Sequence, residues 1–315
     1  MVGQPTVSPS HPTSVLLEAF GANLEFAREL ATLTSYGTGG NARYFLVADS
    51  AAEVSRAIKA ARRLSIPWFV MGGGSNLLVS DDGFDGLVIK TEVFGLDIVD
   101  GDRIEAGAGE DLMALVDFAT EHSLTGLEFA AGIWGSVGGA VYGNAGAYGG
   151  EVGRILVSAQ IIDSEGEIKD VTPDYLGFDY RHSHLKETRE VLTKAVFQAA
   201  CGERDEIKSR VDEILKTRAE RHPDHGTAGC FFRNIPDETQ PYGKLPAGKL
   251  LEDAGAKELA VGGAAVYEKH ANIIVNTGGA TSKDIRRLAD MMKQRVLDRY
   301  GIELQEEVQL LGTFQ

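Results

Sequence analysis

The chain has 315 residues, 43% hydrophobic and 24% charged, an ordinary globular composition with enough length for a sizeable core in two or three lobes. A formal net charge of −15 leaves no basic face for nucleic acid, and no apolar run approaches the roughly 20 residues of a membrane span. Two cysteines, Cys201 and Cys230, make no disulfide framework and sit in no metal-ligand spacing, so no metal is expected and the cytoplasm is the expected compartment.

In chain order, residues 1–14 have neither the basic start nor the apolar centre of a secretion signal and are expected to form a disordered tail. Residues 15–31 carry apolar positions at helical spacing (Leu16, Leu17, Phe20, Leu24, Phe26, Leu30), interrupted at Gly21. Residues 34–48 read as a glycine turn feeding a strand, 50–64 as an amphipathic helix with Val54, Ile58 and Ala61 on one face, and 67–71 as a strand. This β–α–β order predicts a small α/β lobe over residues 15–85.

A second lobe is expected over 86–204. It has strands at 87–90 and 98–106 with a turn at Gly101-Asp102, a helix at 111–121, a hairpin over 156–163 and 167–171, and a strand at 191–199. Residues 205–315 form the predicted C-terminal domain, with helices at 205–221, 248–254 and 282–300. It also holds strand-like runs at 264–267 and 272–275 and a closing strand through Glu306 and Glu307. The helix at 205–221 carries Lys208, Arg210, Lys216, Arg218 and Arg221, which suits either a solvated face or an electropositive wall for a phosphate-bearing ligand.

Two glycine-rich stretches stand out, residues 71–83 (MGGGSNLLVSDDG) and 126–150 (GLEFAAGIWGSVGGAVYGNAGAYGG), the second with nine glycines in 25 residues. Such segments cannot build a core, but they bring main-chain N–H groups close to a bulky anion because no Cβ intervenes. Tight turns and bulges collect glycine as well. Neither stretch has the Lys-Ser/Thr ending of a P-loop, and the first lacks the dinucleotide-fold glycine spacing and a following helix. Two loops of this kind, each entered from a strand-like segment, suggest a large ligand with a diphosphate, such as a dinucleotide cofactor.

Eight motifs in order then bear a family resemblance: TSYGTGGNARYF, GGGSNLL, GSVGGAVYGNAGAYGGEV, YRHSHLK, GTAGCFFRN, KLLEDAG, HANIIVN and GIELQEEV. From about Thr34 to its end the chain resembles the flavin-dependent UDP-N-acetylenolpyruvoylglucosamine reductases of bacterial cell-wall synthesis. The resemblance implies an α+β chain with an FAD-binding fold of the vanillyl-alcohol-oxidase type in two α/β lobes, followed by a C-terminal α+β substrate domain. The short path from Arg181 to the helix at 205 leaves no room for the extra tyrosine-bearing loop of some members, so the chain looks like the loop-lacking type.

That family reduces the enolpyruvyl ether of UDP-N-acetylglucosamine, with NADPH as hydride donor and FAD as relay, in peptidoglycan precursor synthesis. Negative charge then develops beside and within the substrate carboxylate, where preorganised donors are needed. By motif position Arg181 matches the family's catalytic arginine, Glu307 its catalytic glutamate and Cys230 its serine or cysteine proton donor. Glu307 is preferred to Glu306 because it directly precedes Val308, and it helps only if burial keeps it protonated. The resemblance also implies flavin contacts at Gly72, Gly73, Gly74, Ser75 and Asn76, at Gly135, Ser136, Val137, Gly138 and Gly139, and at Asn144, Ala145 and Gly146. Substrate contacts are implied at Tyr180, Arg218, Arg221, Arg233 and Asn234. No histidine or cysteine is placed for covalent attachment, so FAD is expected to be held non-covalently. Arg233, Ile235 and Trp134 replace the lysine and two prolines usual in the family. The alternatives are a flavin oxidase of the same fold and a non-catalytic sugar-nucleotide-binding protein.

Overall fold

The computed structural model describes residues 12–224, 226–240 and 243–314. The expected N-terminal tail lies outside these up to residue 11; its last three residues, from Pro12, belong to the helix Pro12–Phe20.

The first sheet has four strands in the order Leu24–Glu29, Asn41–Ala48, Phe84–Thr91, Trp68–Met71. The first pair is antiparallel and the other two are parallel. The helix Ala51–Arg63 crosses between the parallel strands, its start capped by the Ser50 hydroxyl accepting from the Glu53 N–H. Its apolar face (Val54, Ala57, Ile58, Ala61) is fully buried against Leu46, Leu87 and Ile89. Burial on this scale is worth about 1.5–3 kcal/mol for each large aliphatic side chain.

Two expectations are corrected in this lobe. Helical spacing at 15–31 ends at Phe20, because Gly21 turns the chain at φ 54° and Leu24 pairs with Leu46 at the sheet edge. An edge position gained by pairing outweighs a weak helical pattern. The expected break after residue 85 falls inside the strand Phe84–Thr91, which is central to this sheet.

The second sheet is antiparallel throughout, in the order Ile168–Val171, Leu156–Ile162, Val191–Gln198, Arg103–Gly107, Leu96–Val99. The helix Leu112–Glu121, capped by Asp111, joins its core through Leu112, Leu115, Val116 and Ala119. After Gln198 only the short strand Ala200–Cys201 precedes the helix Arg204–Arg221, so no additional loop intervenes.

The last core gathers around Ser282–Tyr300, a helix with a Thr281–Asp284 capping box at one end and Gly301 in the left-handed conformation at the other. It packs against the helix Ala247–Asp253 and a small sheet of Ala260–Val261, Ala264–Val266 and Ile274–Asn276. Two ties fix this part to the first lobe. Asp81 accepts from the N–H groups of Ser282 and Lys283 at 2.8 and 2.9 Å, and the strand Gln309–Leu311 pairs in parallel with Leu77–Val79. The closing strand is therefore shorter than expected: Glu306 and Glu307 precede it. Among the described residues no helix is long and apolar enough to cross a membrane.

Candidate active site

The two glycine stretches face each other. An added methyl group at Gly73 would lie 2.9 Å from the Gly135 Cα, one at Gly72 would run into the Ser136 hydroxyl, and one at Gly135 would meet the Ser75 hydroxyl at 2.6 Å. Ser75 also donates to the Trp134 carbonyl at 2.7 Å. Close loop-on-loop contact thus accounts for glycine at these three positions. The second stretch is entered from the short strand Leu124–Thr125 and passes through the 3-10 turn Glu128–Ala130, and Val137–Tyr142 is a short helix capped by Ser136 that the glycine content concealed.

Gly74 is more constrained still: it has φ 66°, and a methyl there would collide with the Leu33 carbonyl. Gly74→Ala is expected to destabilise the protein by about 1–3 kcal/mol and to lower its flavin content, read by thermal unfolding and the visible spectrum. An unchanged melting temperature contradicts this.

Between the loops and the C-terminal part lies a cavity of about 1690 Å³. That exceeds the roughly 300–1,000 Å³ of a pocket for one small molecule, so it has room for a dinucleotide and a second large ligand. Gly72, Gly73, Gly74, Ser75 and Asn76 line it, as do Gly135, Ser136, Gly138, Gly139, Ala145 and Gly146. Among the described residues the N–H groups of Gly73, Gly74, Ser75, Gly135 and Ser136 have no acceptor in the protein. Unpaired main-chain donors on a concave wall suit the oxygens of a diphosphate. The residues present therefore fit a dinucleotide such as FAD.

Two of the expected flavin contacts are not on this wall. Val137 is fully buried, its N–H donated to the Glu110 carbonyl. Asn144 is buried too, its amide donating to the Asp179 carbonyl at 2.9 Å and accepting from the Gly153 N–H at 2.8 Å. Its side chain is used in holding the end of the loop against the turn that carries Arg181.

That turn runs from Asp179 to His182, whose main chains exchange both hydrogen bonds. Arg181 is its third residue and has φ 52°, a conformation that glycine or asparagine adopts far more readily. The strain is of order 1–3 kcal/mol and must be held by surrounding contacts. The guanidinium donates to the Gly146 carbonyl at 2.7 Å, and its Nε lies 3.0 Å from Glu307 Oε1. Tyr180, also on the cavity wall, has the Lys244 ammonium 3.6 Å from its ring centre.

Cys230 and Glu307 are brought together by irregular pairing. Phe232 bridges Glu306, the Glu307 N–H donates to the Phe231 carbonyl at 2.8 Å, and Cys230 bridges Ile273 on the other side. Asn272 clamps this segment, accepting from the Phe232 N–H and donating to its carbonyl. Asn76 donates to the Glu307 carbonyl at 3.1 Å, so the first glycine loop and the glutamate share a hydrogen bond. The neighbouring glutamates point apart. Glu306 turns to the helix Ser282–Tyr300 and pairs with Arg286 at 2.7 Å and Lys293 at 3.5 Å, while Glu307 lines the cavity beside Arg181.

Burial pushes the Glu307 carboxyl up, and the cations of Arg181, Lys186 and Arg233 pull it partly back. Burial, with the charge of Glu307, pushes the Cys230 thiol up to about 12. The thiol therefore keeps its proton at neutral pH.

Of the remaining expected residues, Arg218 and Asn234 line the cavity, whereas Arg221 and Arg233 do not. Arg221 is exposed at the last turn of its helix, where the chain turns away at His222. Arg233 stands behind the wall, its charge felt by Glu307 and Lys186. Arg218 has a buried Nε with no hydrogen-bond partner among the described residues, a donor left for a ligand. The rest of the basic helix is solvated face, with Lys208 paired to Asp212 and Arg210 to Glu128. Asn234 accepts from the Ala247 N–H at 3.1 Å and so supports a helix start as well as the wall.

Three further wall residues stand outside the expected set. Lys186 was visible in YRHSHLK as a cation five positions after Arg181, and burial pushes its ammonium down to about 8. His222 and His270 lie with tilted rings, their centres 5.8 Å apart, and burial holds His222 down to about 4. No periodicity marks them.

Residues 42–172 match the FAD binding domain family, and residues 221–311 match the C-terminal domain of UDP-N-acetylenolpyruvoylglucosamine reductase. The chain is 41% identical over 281 residues to the UDP-N-acetylenolpyruvoylglucosamine reductase of Heliobacterium modesticaldum, covering 89% of this chain and 88% of that one. It is 38% identical over 293 residues to the enzyme of that name from Streptococcus pneumoniae, covering 93% and 95%. The crystal structure of the Thermus caldophilus reductase superposes with a TM-score of 0.75 at 32% identity, over 92% of this chain and 98% of that one. The FAD-binding fold in two lobes with a C-terminal α+β domain is thus the architecture present, and the chain belongs to the UDP-N-acetylenolpyruvoylglucosamine reductase family.

Proposed function

We propose that Arg181, Cys230 and Glu307 carry the reduction of UDP-N-acetylglucosamine enolpyruvate to UDP-N-acetylmuramate in this chain. The reaction itself follows from family membership, with NADPH as reductant and FAD as cofactor. The observation that supports these three residues is their convergence on one cavity bounded by both glycine loops. FAD, when bound, relays a hydride from NADPH to the terminal carbon of the enol ether.

The chain's own groups handle the charge that results. Arg181 offers a planar, permanently charged fork for the substrate carboxylate. As that carboxylate takes the guanidinium, Glu307 loses its ion pair and gains a negative neighbour, both of which raise its pKa further and favour uptake of a proton from solvent. In that form it donates a hydrogen bond to the enolate-like charge. Cys230 gives its proton to the adjacent carbon, and the thiolate left behind is stabilised by the charges of Arg181 and Arg218 before water restores the proton.

Gly72 to Asn76, Gly135, Ser136, Gly138, Gly139, Ala145 and Gly146 are proposed to hold FAD non-covalently, with Asn144 and Val137 supporting them from behind. Tyr180, Arg218 and Asn234 are proposed to meet the sugar nucleotide, and Arg233 to act on it through its charge alone. We place the lobes at residues 12–91, 92–204 and 205–315, and the enzyme in the cytoplasm, where its nucleotide substrates are made.

The reading is tested by NADPH consumption with and without the enolpyruvyl substrate, alongside oxygen uptake. Consumption that depends on the substrate supports it. Oxygen-dependent turnover that ignores the substrate indicates an oxidase instead.

A further inference from the structure

Lys186 has no part in the chemistry described above, yet it is a half-buried cation on the cavity wall. It is the second residue of the short helix Leu185–Thr188, and its Nζ donates to the Arg181 carbonyl at 2.8 Å. That is the ammonium's one hydrogen bond among the described residues. The groups facing it are Arg181 from the turn, Arg233 from the segment behind, Glu307 from the C-terminal segment and the Tyr142 ring, 5.5 Å away.

We propose that Lys186 is a positioning residue for the reduction: it holds the carbonyl at the tip of the turn and so fixes the left-handed backbone of Arg181. A non-glycine residue at φ 52° returns to a commoner conformation unless its peptide is anchored. The contacts at Gly146 and Glu307 restrain the far end of the Arg181 side chain. Only the Lys186 bond acts on its main chain beyond the turn, and the direction of Cβ follows from the main chain. A shift of about 1 Å in a group that must meet a transition state costs on the order of 100-fold. The inference rests on the role proposed for Arg181.

The anchor is charged, and it weakens as the ammonium loses its proton. Burial and the neighbouring Arg233 and Arg181 push Lys186 down to about 8, with Glu307 opposing. Glu307 also loses its proton as pH rises through its raised value, so the two groups must be told apart. Cys230 is pushed up to about 12, Tyr142 and Tyr180 are raised, and His222 falls to about 4. A fall in rate as pH passes 8 that Lys186→Arg shifts and Glu307→Gln keeps is therefore the signature of Lys186.

The test is a double-mutant cycle on the holoenzyme. NADPH-reduced wild type, Lys186→Met, Arg181→Ala and the double variant are mixed with UDP-N-acetylglucosamine enolpyruvate, and reoxidation is followed alongside flavin content. Lys186→Met should slow reoxidation about 10- to 100-fold at wild-type flavin content, but less than about twofold when Arg181 is already alanine. Lys186→Arg should move the alkaline fall from near pH 8 to above about pH 10, because guanidinium keeps its proton there.

An equal loss from Lys186→Met in both backgrounds overturns the inference while leaving the role of Arg181 intact. An Arg181→Ala variant as fast as wild type overturns that role, and the inference with it. Should Lys186→Met not fold, the pH shift in Lys186→Arg decides alone, and a fall that stays near pH 8 counts against Lys186.

Discussion

Replacing Cys230 with alanine should slow reoxidation of the reduced enzyme by substrate about 10²- to 10⁴-fold, the range for removal of a positioned general acid. Reduction by NADPH should stay within about twofold of wild type, because no proton from Cys230 is needed there. The physical basis is the environment of the thiol. Burial pushes it up to about 12, so it is fully protonated at working pH, and the nearby charges of Arg181 and Arg218 stabilise the thiolate it leaves. Cys230→Ser should keep much of the activity, since a hydroxyl in the same place also carries a proton. Rapid-mixing measurement of the two half-reactions separates these outcomes, and equal losses in both remove Cys230 from the acid role.

The second large effect is expected at Glu307. Glu307→Ala should lower the rate of substrate reduction about 10²- to 10³-fold, comparable to loss of one oxyanion donor. Glu307→Gln should be milder, about tenfold by the same scale, because an amide can still donate. The sign of the pH dependence follows from the shift. Burial raises this carboxyl, so its neutral form persists to higher pH than for an ordinary glutamate and is lost as pH rises through that raised value. The wild type should lose rate on that side, while Glu307→Gln should lack this step and keep only the fall near pH 8 that Lys186 sets. Identical severe losses in both variants, measured as kcat across pH, would mean that an ionised carboxylate is required.

Much of this was legible in the chain because helices and strands announce themselves by period. The helix Ala51–Arg63 and its Ser50 cap, the hairpin joining Leu156–Ile162 to Ile168–Val171 and the long helix Ser282–Tyr300 lie within a residue or two of expectation. The glycine loops were visible as loops, but which glycines face a ligand and which face each other was not. That depends on Gly73 meeting Gly135 across 62 positions of chain. The segment Leu24–Glu29 was misread because an edge strand needs only one good partner, here Asn41–Ala48, and carries little pattern of its own.

Sites are harder to read than elements because long-range pairing builds them. Nothing local distinguishes Glu306 from Glu307; Arg286 and Lys293 claim the first, and Asn76 and Arg181 hold the second. Arg218 and Arg221 look equivalent on a helix, yet the helix ends at Arg221, and His222 takes the place on the wall. The meeting of Arg181, Cys230 and Glu307 was expected only from family resemblance, since no spacing or period connects them.

The most direct measurement is the anaerobic visible spectrum of the purified protein through one turnover. The native protein should carry a flavin band, lose it on adding NADPH, and regain it on adding UDP-N-acetylglucosamine enolpyruvate. A colourless protein, or a bleached one that the enolpyruvyl substrate leaves bleached, would contradict the account.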